Sequence, residues 1–280
     1  MRQLLIAAAL LAATPAAAAE RIVAVGGAVT EIVYALGMGD RLVAVDSTST
    51  WPAEADALPD VGYMRQLSAE PIVALAPDLV LALESSGPAV TLDQLRAAGI
   101  PLELVPDRPT AEGTLDRIRT VGAILGREAE ALALAARVDA ELKAAMAAGP
   151  ADGTKPSVLF VMNAGRGAPM GAGEGTAAEG IIALAGGRNA ITGYRGYKPL
   201  APEAVVAAAP DVILAMRETV DAAGGAQALL DLPELRQTPA AQAGRLVAMD
   251  GLLLLGFGPR TPQAVRTLAT ELQAAASAAR

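Results

Sequence analysis

The stretch VGYMRQLSAEPIVALAPDLVLA (61–82) decides how the chain is read. Its front half is a polar loop with one tyrosine, Tyr63, and Arg65 two residues on. Its back half opens a short helix at Ser68-Ala69-Glu70-Pro71, passes through Pro77-Asp78 and ends in an unbroken apolar strand, Leu79 to Leu83. That back half returns. LSAEPIVALAPDLVLA (67–82) matches LAPEAVVAAAPDVILA (200–215) without a gap, pairing Glu70 with Glu203, Pro77 with Pro210 and Asp78 with Asp211. A match at one constant offset implies a duplicated structural unit. The tyrosine loop has no close copy, so the expectation is two similar lobes with one unequal site between them.

Outward from this unit, short apolar runs alternate with helical patterns. IVAV (22–25), LVAVD (42–46), the strand at 101–105, SVLFVM (157–162) and LVAM (246–249) are runs of this kind, and they predict parallel sheets covered on both faces. Between Thr110 and Gly149 the apolar residues Leu115, Ile118, Val121, Leu132, Val138 and Leu142 recur at helical spacing, with Gly122 and Gly126 as candidate bends. This segment reads as one long or slightly broken helix joining two lobes. The expected organisation is an α/β protein: a leader over 1–19, a first lobe over 20–109, a linking helix over 110–149 and a second lobe over 150–280. A ligand cleft is expected between the lobes.

Residues 1–19, MRQLLIAAALLAATPAAAA, combine Arg2, an apolar run and an all-alanine exit, the pattern of an export signal. The expected location is a bacterial periplasm. The 280 residues include no cysteine and no histidine, which removes disulfides, the usual zinc ligands and the usual general base. A formal charge of -8 argues against nucleic acid as a partner. An exported chain with so little catalytic equipment reads as a carrier rather than an enzyme.

Aromatic residues make up only 2% of the chain, so each one bears on function. Tyr63 admits two readings: a tyrosine closing the edge of the core, or a phenolate ligand to a hard cation such as ferric iron. Arg65, at i+2 on the same side of an extended loop, would support the phenolate or stand free in solvent. Trp51, in the loop STSTWP, is either a local plug or a ring-stacking cleft wall. The glycine-rich loop from Asn163 to Gly175 lacks the lysine and spacing of a phosphate loop; as a flexible wall, its Gly165, Gly167 and Met170 would border the cleft. Tyr34, Phe160 and Phe257 are assigned to packing.

The stretches GGAVTEIVYALGMGDRLVAVDSTSTWP (26–52), LPDVGYMRQLSAE (58–70) and MNAGRGAPMGAGEGTAAEGIIALAGGRNAI (162–191) resemble the periplasmic haem-binding proteins of haemin ABC importers. These are relatives of the vitamin B12 and siderophore binding proteins, whose class III fold has two Rossmann-like lobes with central parallel sheets joined by one long helix. The resemblance implies that Tyr63 is the axial ligand to haem iron. Arg65, Arg166, Arg195, Tyr197 and Arg217 are then candidates to meet the propionates or the ring. It implies that Glu70 and Glu203 dock onto arginines of an ABC permease, with an outer-membrane haem uptake system upstream. The carrier is expected to be a monomer. Some members carry a histidine in the glycine-rich loop, and this chain has none, so no second-lobe iron ligand is assigned. Rival expectations are a ferric-siderophore or cobalamin carrier of the same fold, an exported nucleotide-binding α/β enzyme, and an adhesin.

Overall fold

The computed structural model describes residues 19–150, 153–164 and 168–278. The expected leader, apart from its last residue, and Gly165, Arg166 and Gly167 lie outside the described residues. The chain opens with β1 (Ile22–Val25), α1 (Gly27–Ala35), β2 (Leu42–Val45), α2 (Ala53–Asp56), α3 (Ala69–Ala74), β3 (Leu79–Leu83), α4 (Ala89–Ala97) and β4 (Leu102–Val105). The four strands form one parallel sheet in the order β2-β1-β3-β4. β1 and β3 are buried along their whole length, which is why IVAV and LVLAL carry no alternation.

Two helices follow, α5 (Ala111–Ile124) and α6 (Glu128–Met146). The long or slightly broken helix expected over 110–149 is two helices packed on each other. Gly126 takes a φ of 64° at the break, and a Cβ on Gly122 would stand 2.1 Å from that of Ala131. The two glycines thus allow a tight reversal and a close helix–helix approach. α5 packs on α1 and β4 of the first sheet, whereas α6 packs on α5 and on the C-terminal helix, so α6 is the element that leads to the second half.

That half contains β5 (Ser157–Met162), β6 (Met170–Ala172), α7 (Ala177–Leu184), β7 (Arg188–Asn189), β8 (Tyr197–Pro199), α8 (Pro202–Ala208) and β9 (Val212–Met216). It continues through α9 (Arg217–Ala222), α10 (Ala226–Leu230), α11 (Pro239–Gln242), β10 (Leu246–Met249), α12 (Gly251–Leu255) and α13 (Thr261–Ala278). The sheet runs β10-β9-β5-β6-β8, with β7 also on β5. It is mixed rather than wholly parallel, because β6 and β8 pair antiparallel. The connection from β5 to β6 is too short for the crossover that a parallel pair needs.

The duplication is visible in the backbone. Asp78 accepts from the Arg21 N–H at 3.1 Å, and its own N–H donates to the Arg21 carbonyl at 3.0 Å. Asp211 does the same at the start of β5, with 2.8 Å both for its carboxylate on the Ser157 N–H and for its N–H on the Ser157 carbonyl. Each aspartate fastens the end of its repeat to the strand that the next strand will pair with. The two helices also end alike, on Ala76 at φ 45° and Ala209 at φ 43°, just before the matched prolines.

Arg117 of α5 bridges the two halves. Its guanidinium is fully buried and donates at 2.9 Å to the carbonyls of Pro106, Gly256 and Phe257, and at 2.7 Å to Asp107. One side chain thus closes over the end of the first sheet and the turn before α13. Burial lowers its pKa, and the negative charges of Asp107 and Glu84 oppose that.

Candidate functional site

The tyrosine loop is rigid by construction. Gly62 adopts φ 97°, which a side chain would resist, and its N–H donates to Asp60 at 2.7 Å. On one side the loop is stitched to the end of β2, through Val61 N–H to Val45 carbonyl at 2.9 Å and Ser47 N–H to Gly62 carbonyl at 3.1 Å. On the other it is stitched to Gly87, which donates to the Met64 carbonyl and accepts from the Leu67 N–H, both at 2.9 Å. Met64 points into the core at 7% exposure, so its neighbours Tyr63 and Arg65 point out, and Tyr63 is 44% exposed. The ring does not close the core. It is presented to solvent on a backbone held from both sides.

Tyr197 opens β8 in the second sheet, opposite Ala172. Its ring lies 6.1 Å from that of Phe160 at an interplanar angle of 59°. Burial pushes its hydroxyl pKa up. The Ala178 N–H, the charge of Arg65 and the Thr176 hydroxyl draw it down, and a charged Tyr63 adds to the rise. The charges of Arg65 and Tyr63 thus reach the Tyr197 hydroxyl.

Tyr197 also reveals a repeat that a gapless comparison misses. Gly62-Tyr63 corresponds to Gly196-Tyr197 once one residue is dropped before Leu200, and Gly196 is also left-handed, at φ 77°. The tyrosine loop therefore has a copy. The signal was present in sequence as GYMRQLSAE against GYKPLAPE.

Trp51 lies in the loop between β2 and α2. Asp46 organises its loop, accepting from the Gly26 N–H at 2.8 Å and from the hydroxyls of Thr48 and Ser49. Trp51 is 49% exposed, and the Arg260 guanidinium lies 4.7 Å from its ring centre, a cation–π contact. Arg260 also donates through Nε to Glu31 of α1 at 2.9 Å. Glu31 is only 6% exposed, and burial raises its pKa against the hydrogen bond and charge of Arg260. Arg260, Glu31 and Arg117 were not singled out from sequence, because their partners are backbone carbonyls or lie as many as 229 residues away.

Among the described residues no group of three or more Asp, Glu, His or Cys side chains is placed to hold a metal ion. No described helix is long and apolar enough to cross a membrane. The family model described as "Periplasmic binding protein" matches residues 22–252. The chain belongs to that family.

Solved structures similar to this periplasmic binding protein include the periplasmic heme-binding protein RhuT from Roseiflexus sp. RS-1 in apo form. RhuT is 44% identical over 92% of this chain and 99% of its own, with a TM-score of 0.88. BhuT, solved in complex with two hemes, is 42% identical over 91% and 98%, with a TM-score of 0.85. The periplasmic heme-binding protein HutB of Vibrio cholerae is 37% identical over 90% and 98%, at 0.79. Among curated relatives, a vitamin B12-binding protein of Yersinia pestis (strain Pestoides F) is 46% identical over 88 residues. That match spans 31% of this chain and 31% of the relative.

In this binding protein the expected site residues divide. Arg65 and Tyr63 lie within electrostatic reach of Tyr197. Trp51 meets the Arg260 guanidinium with one face of its ring. Arg195 is exposed beside Gly175, where a Cβ would lie 2.9 Å from its Nη2, and Arg217 is exposed at the first position of α9, directly after β9. Met170 does not sit in a flexible loop: it opens β6 and accepts at its sulfur from Asn163 at 3.4 Å. Gly173 serves packing within the lobe, since a Cβ there would meet the Tyr194 carbonyl at 2.3 Å. Glu70 and Glu203 are exposed in the first turns of α3 and α8.

Proposed function

We propose that this periplasmic binding protein carries ferric haem in the groove between its lobes, with the phenol oxygen of Tyr63 on the iron, and delivers it to an ABC permease. The observation that carries the reading is the half-exposed Tyr63 ring. It stands on a backbone fixed from both sides, its charge within reach of Tyr197, in a chain 44% identical to one heme-binding protein along nearly its whole length. An anionic oxygen donor favours the ferric state and suits a carrier that does no redox work. The flat macrocycle brings apolar area, for which Trp51 and the Tyr197 ring are suitable walls. Its propionates need cations, and Arg65, Arg195 and Arg217 form no ion pair with another described residue. Residues 1–19 direct export, the lobes are proposed to meet around 110–149, and Glu70 and Glu203 meet arginines of the permease.

Absorption titration with haemin tests the reading. The wild type should develop the visible spectrum of a tyrosine-ligated ferric haem, and Tyr63→Ala should not. Equal binding by the two proteins would overturn the assignment. The local match to a vitamin B12-binding protein supports one second reading, a cobalamin carrier. A parallel titration with cobalamin separates the two, since the haem reading requires haemin to bind far more tightly.

A further inference from the structure

The short helix α12 stands where the two sheets bring their carboxyl ends together. It begins two residues after β10 ends at Met249, and a Cβ on its first residue, Gly251, would lie 3.2 Å from the sulfur of Met216, the last residue of β9. Its second residue, Leu252, reaches the first sheet. Gly27 opens α1 just after β1, and a Cβ there would lie 2.5 Å from both Leu252 Cδ1 and the Thr48 carbonyl oxygen. Thr48 follows Ser47, whose N–H donates to the Gly62 carbonyl of the tyrosine loop at 3.1 Å. Leu252 is thus one contact removed from the backbone that presents Tyr63, at the ends of the strands where sheets of this kind bind ligands.

The four successive leucines, Leu252 to Leu255, do not share one task. Among the described residues Leu254 is completely buried in the main core, and Leu253 and Leu255 pack against that core. Leu252 belongs to neither core and remains partly exposed. Two glycines make room for it, since a Cβ on Gly256 would also lie 2.8 Å from Leu252 Cδ1. A branched apolar side chain seated on glycines, and left partly open beside the carboxyl ends of two sheets, is suited to lie under an apolar ligand. The charges around it restrict which edge of a ligand comes to rest there. Asp250 caps α12, accepting from the Leu253 N–H at 2.8 Å, and Glu218 accepts from the Gly251 N–H at 3.4 Å. Arg217, beside Glu218 in the chain, balances one of these carboxylates. The other disfavours a ligand carboxylate at this place.

We infer that Leu252 is the contact for the vinyl-bearing edge of the haem, so that the propionate-bearing edge points away from α12. This rests on the haem reading above and adds to it the orientation of the ring and a residue that selects for it. Leu252 discriminates by taking apolar substituents out of water, so a macrocycle with polar groups on that edge binds more weakly.

Titrations with haemin and with the iron(III) complex of haematoporphyrin, in which each vinyl is replaced by a hydroxyethyl group, test the inference in the wild type and in Leu252→Asn. The wild type should bind haemin about tenfold more tightly than the haematoporphyrin complex, the lower end of what a small group in a fitted apolar site contributes. Leu252→Asn should weaken haemin about tenfold and bring the two ligands to within about twofold of each other, while bound haemin keeps the visible spectrum of the wild-type complex. A wild type that binds the two ligands equally overturns the inference without recourse to any variant. So does a variant that keeps the wild-type preference, because a merely structural role for Leu252 would weaken both ligands alike. In either case a haemin complex lost in Tyr63→Ala leaves the haem reading intact. A wild type that binds neither ligand would sink that reading as well.

Discussion

The two tyrosine–helix units invite comparison, since one duplication produced both. Downstream of the leucine they remain alike: the glutamate, the buried Ile72 and Val205, the exposed Val73 and Val206, the left-handed alanine and the strand-fastening aspartate all coincide. Upstream they part. In the first unit the Gln66 N–H donates back to the Tyr63 carbonyl at 2.8 Å, forming a turn that holds the ring out. In the second unit one residue is missing, and the chain runs straight as β8, with Tyr197 opposite Ala172. Tyr197 is half-buried against Phe160, while Tyr63 stands in solvent. The helix halves of the two units stayed the same, and the tyrosine halves diverged.

The largest expected effect breaks the comparison at its tyrosines. Tyr63→Phe should abolish the spectrum of bound haemin, because only the oxygen that meets the iron is removed. Tyr197→Phe removes a largely buried hydroxyl and should weaken haemin no more than about tenfold, the low end of what an outer partner of a metal site contributes. Equal losses would mean that the second copy is also a ligand and that the units have not diverged in role.

Next in size is the buried Arg117 contact between the halves. Arg117→Met leaves the carbonyls of Pro106, Gly256 and Phe257 without their donor and should cost about 3–5 kcal/mol in urea unfolding, the range for removing one partner from a buried charged network. A cost below about 1 kcal/mol would mean that the two halves are held together elsewhere. Arg260→Ala should cost less, about 3 kcal/mol, because Arg260 is partly open to solvent, yet it leaves Glu31 buried and unpaired. It also uncovers Trp51. A fluorescence change at this single tryptophan would report the loss directly.

How far the sequence foretold all this follows from the range of each interaction. Strands buried on both faces write themselves as unbroken apolar runs, so β1, β3, β5 and β9 were legible. The repeat was legible where it had no gap. Its tyrosine half was hidden by a single deletion, which a gapless offset cannot cross. Gly122 and Gly126 were visible as candidate bends, but whether two glycines curve a helix or fold it back depends on what packs across them, here Ala131. The antiparallel β6 and β8 were obscured because MGA and YKP are too short and too mixed to show a period. Arg117 and Arg260 look like ordinary surface cations in sequence, and only the fold brings their acceptors to them.

The smallest effect is in pH, and its sign separates two accounts of the Arg260 contact. Glu31 has an ordinary pKa of 4.5, raised by burial more than the Arg260 hydrogen bond and charge lower it. A carboxyl raised in the folded state holds its proton better there than in the unfolded chain. Its contribution to stability is therefore complete below about pH 4.5 and is lost as pH rises through the folded value. Glu31→Gln removes this dependence. Wild type should accordingly lose stability relative to the variant as pH is raised from 4 toward neutrality, and urea midpoints at matched pH values measure it. A difference of the opposite slope would mean that the ion pair outweighs burial. In that case Arg260 would be the residue that holds Glu31 charged, and the stability from Glu31 would be lost in acid instead of on the rise toward neutrality.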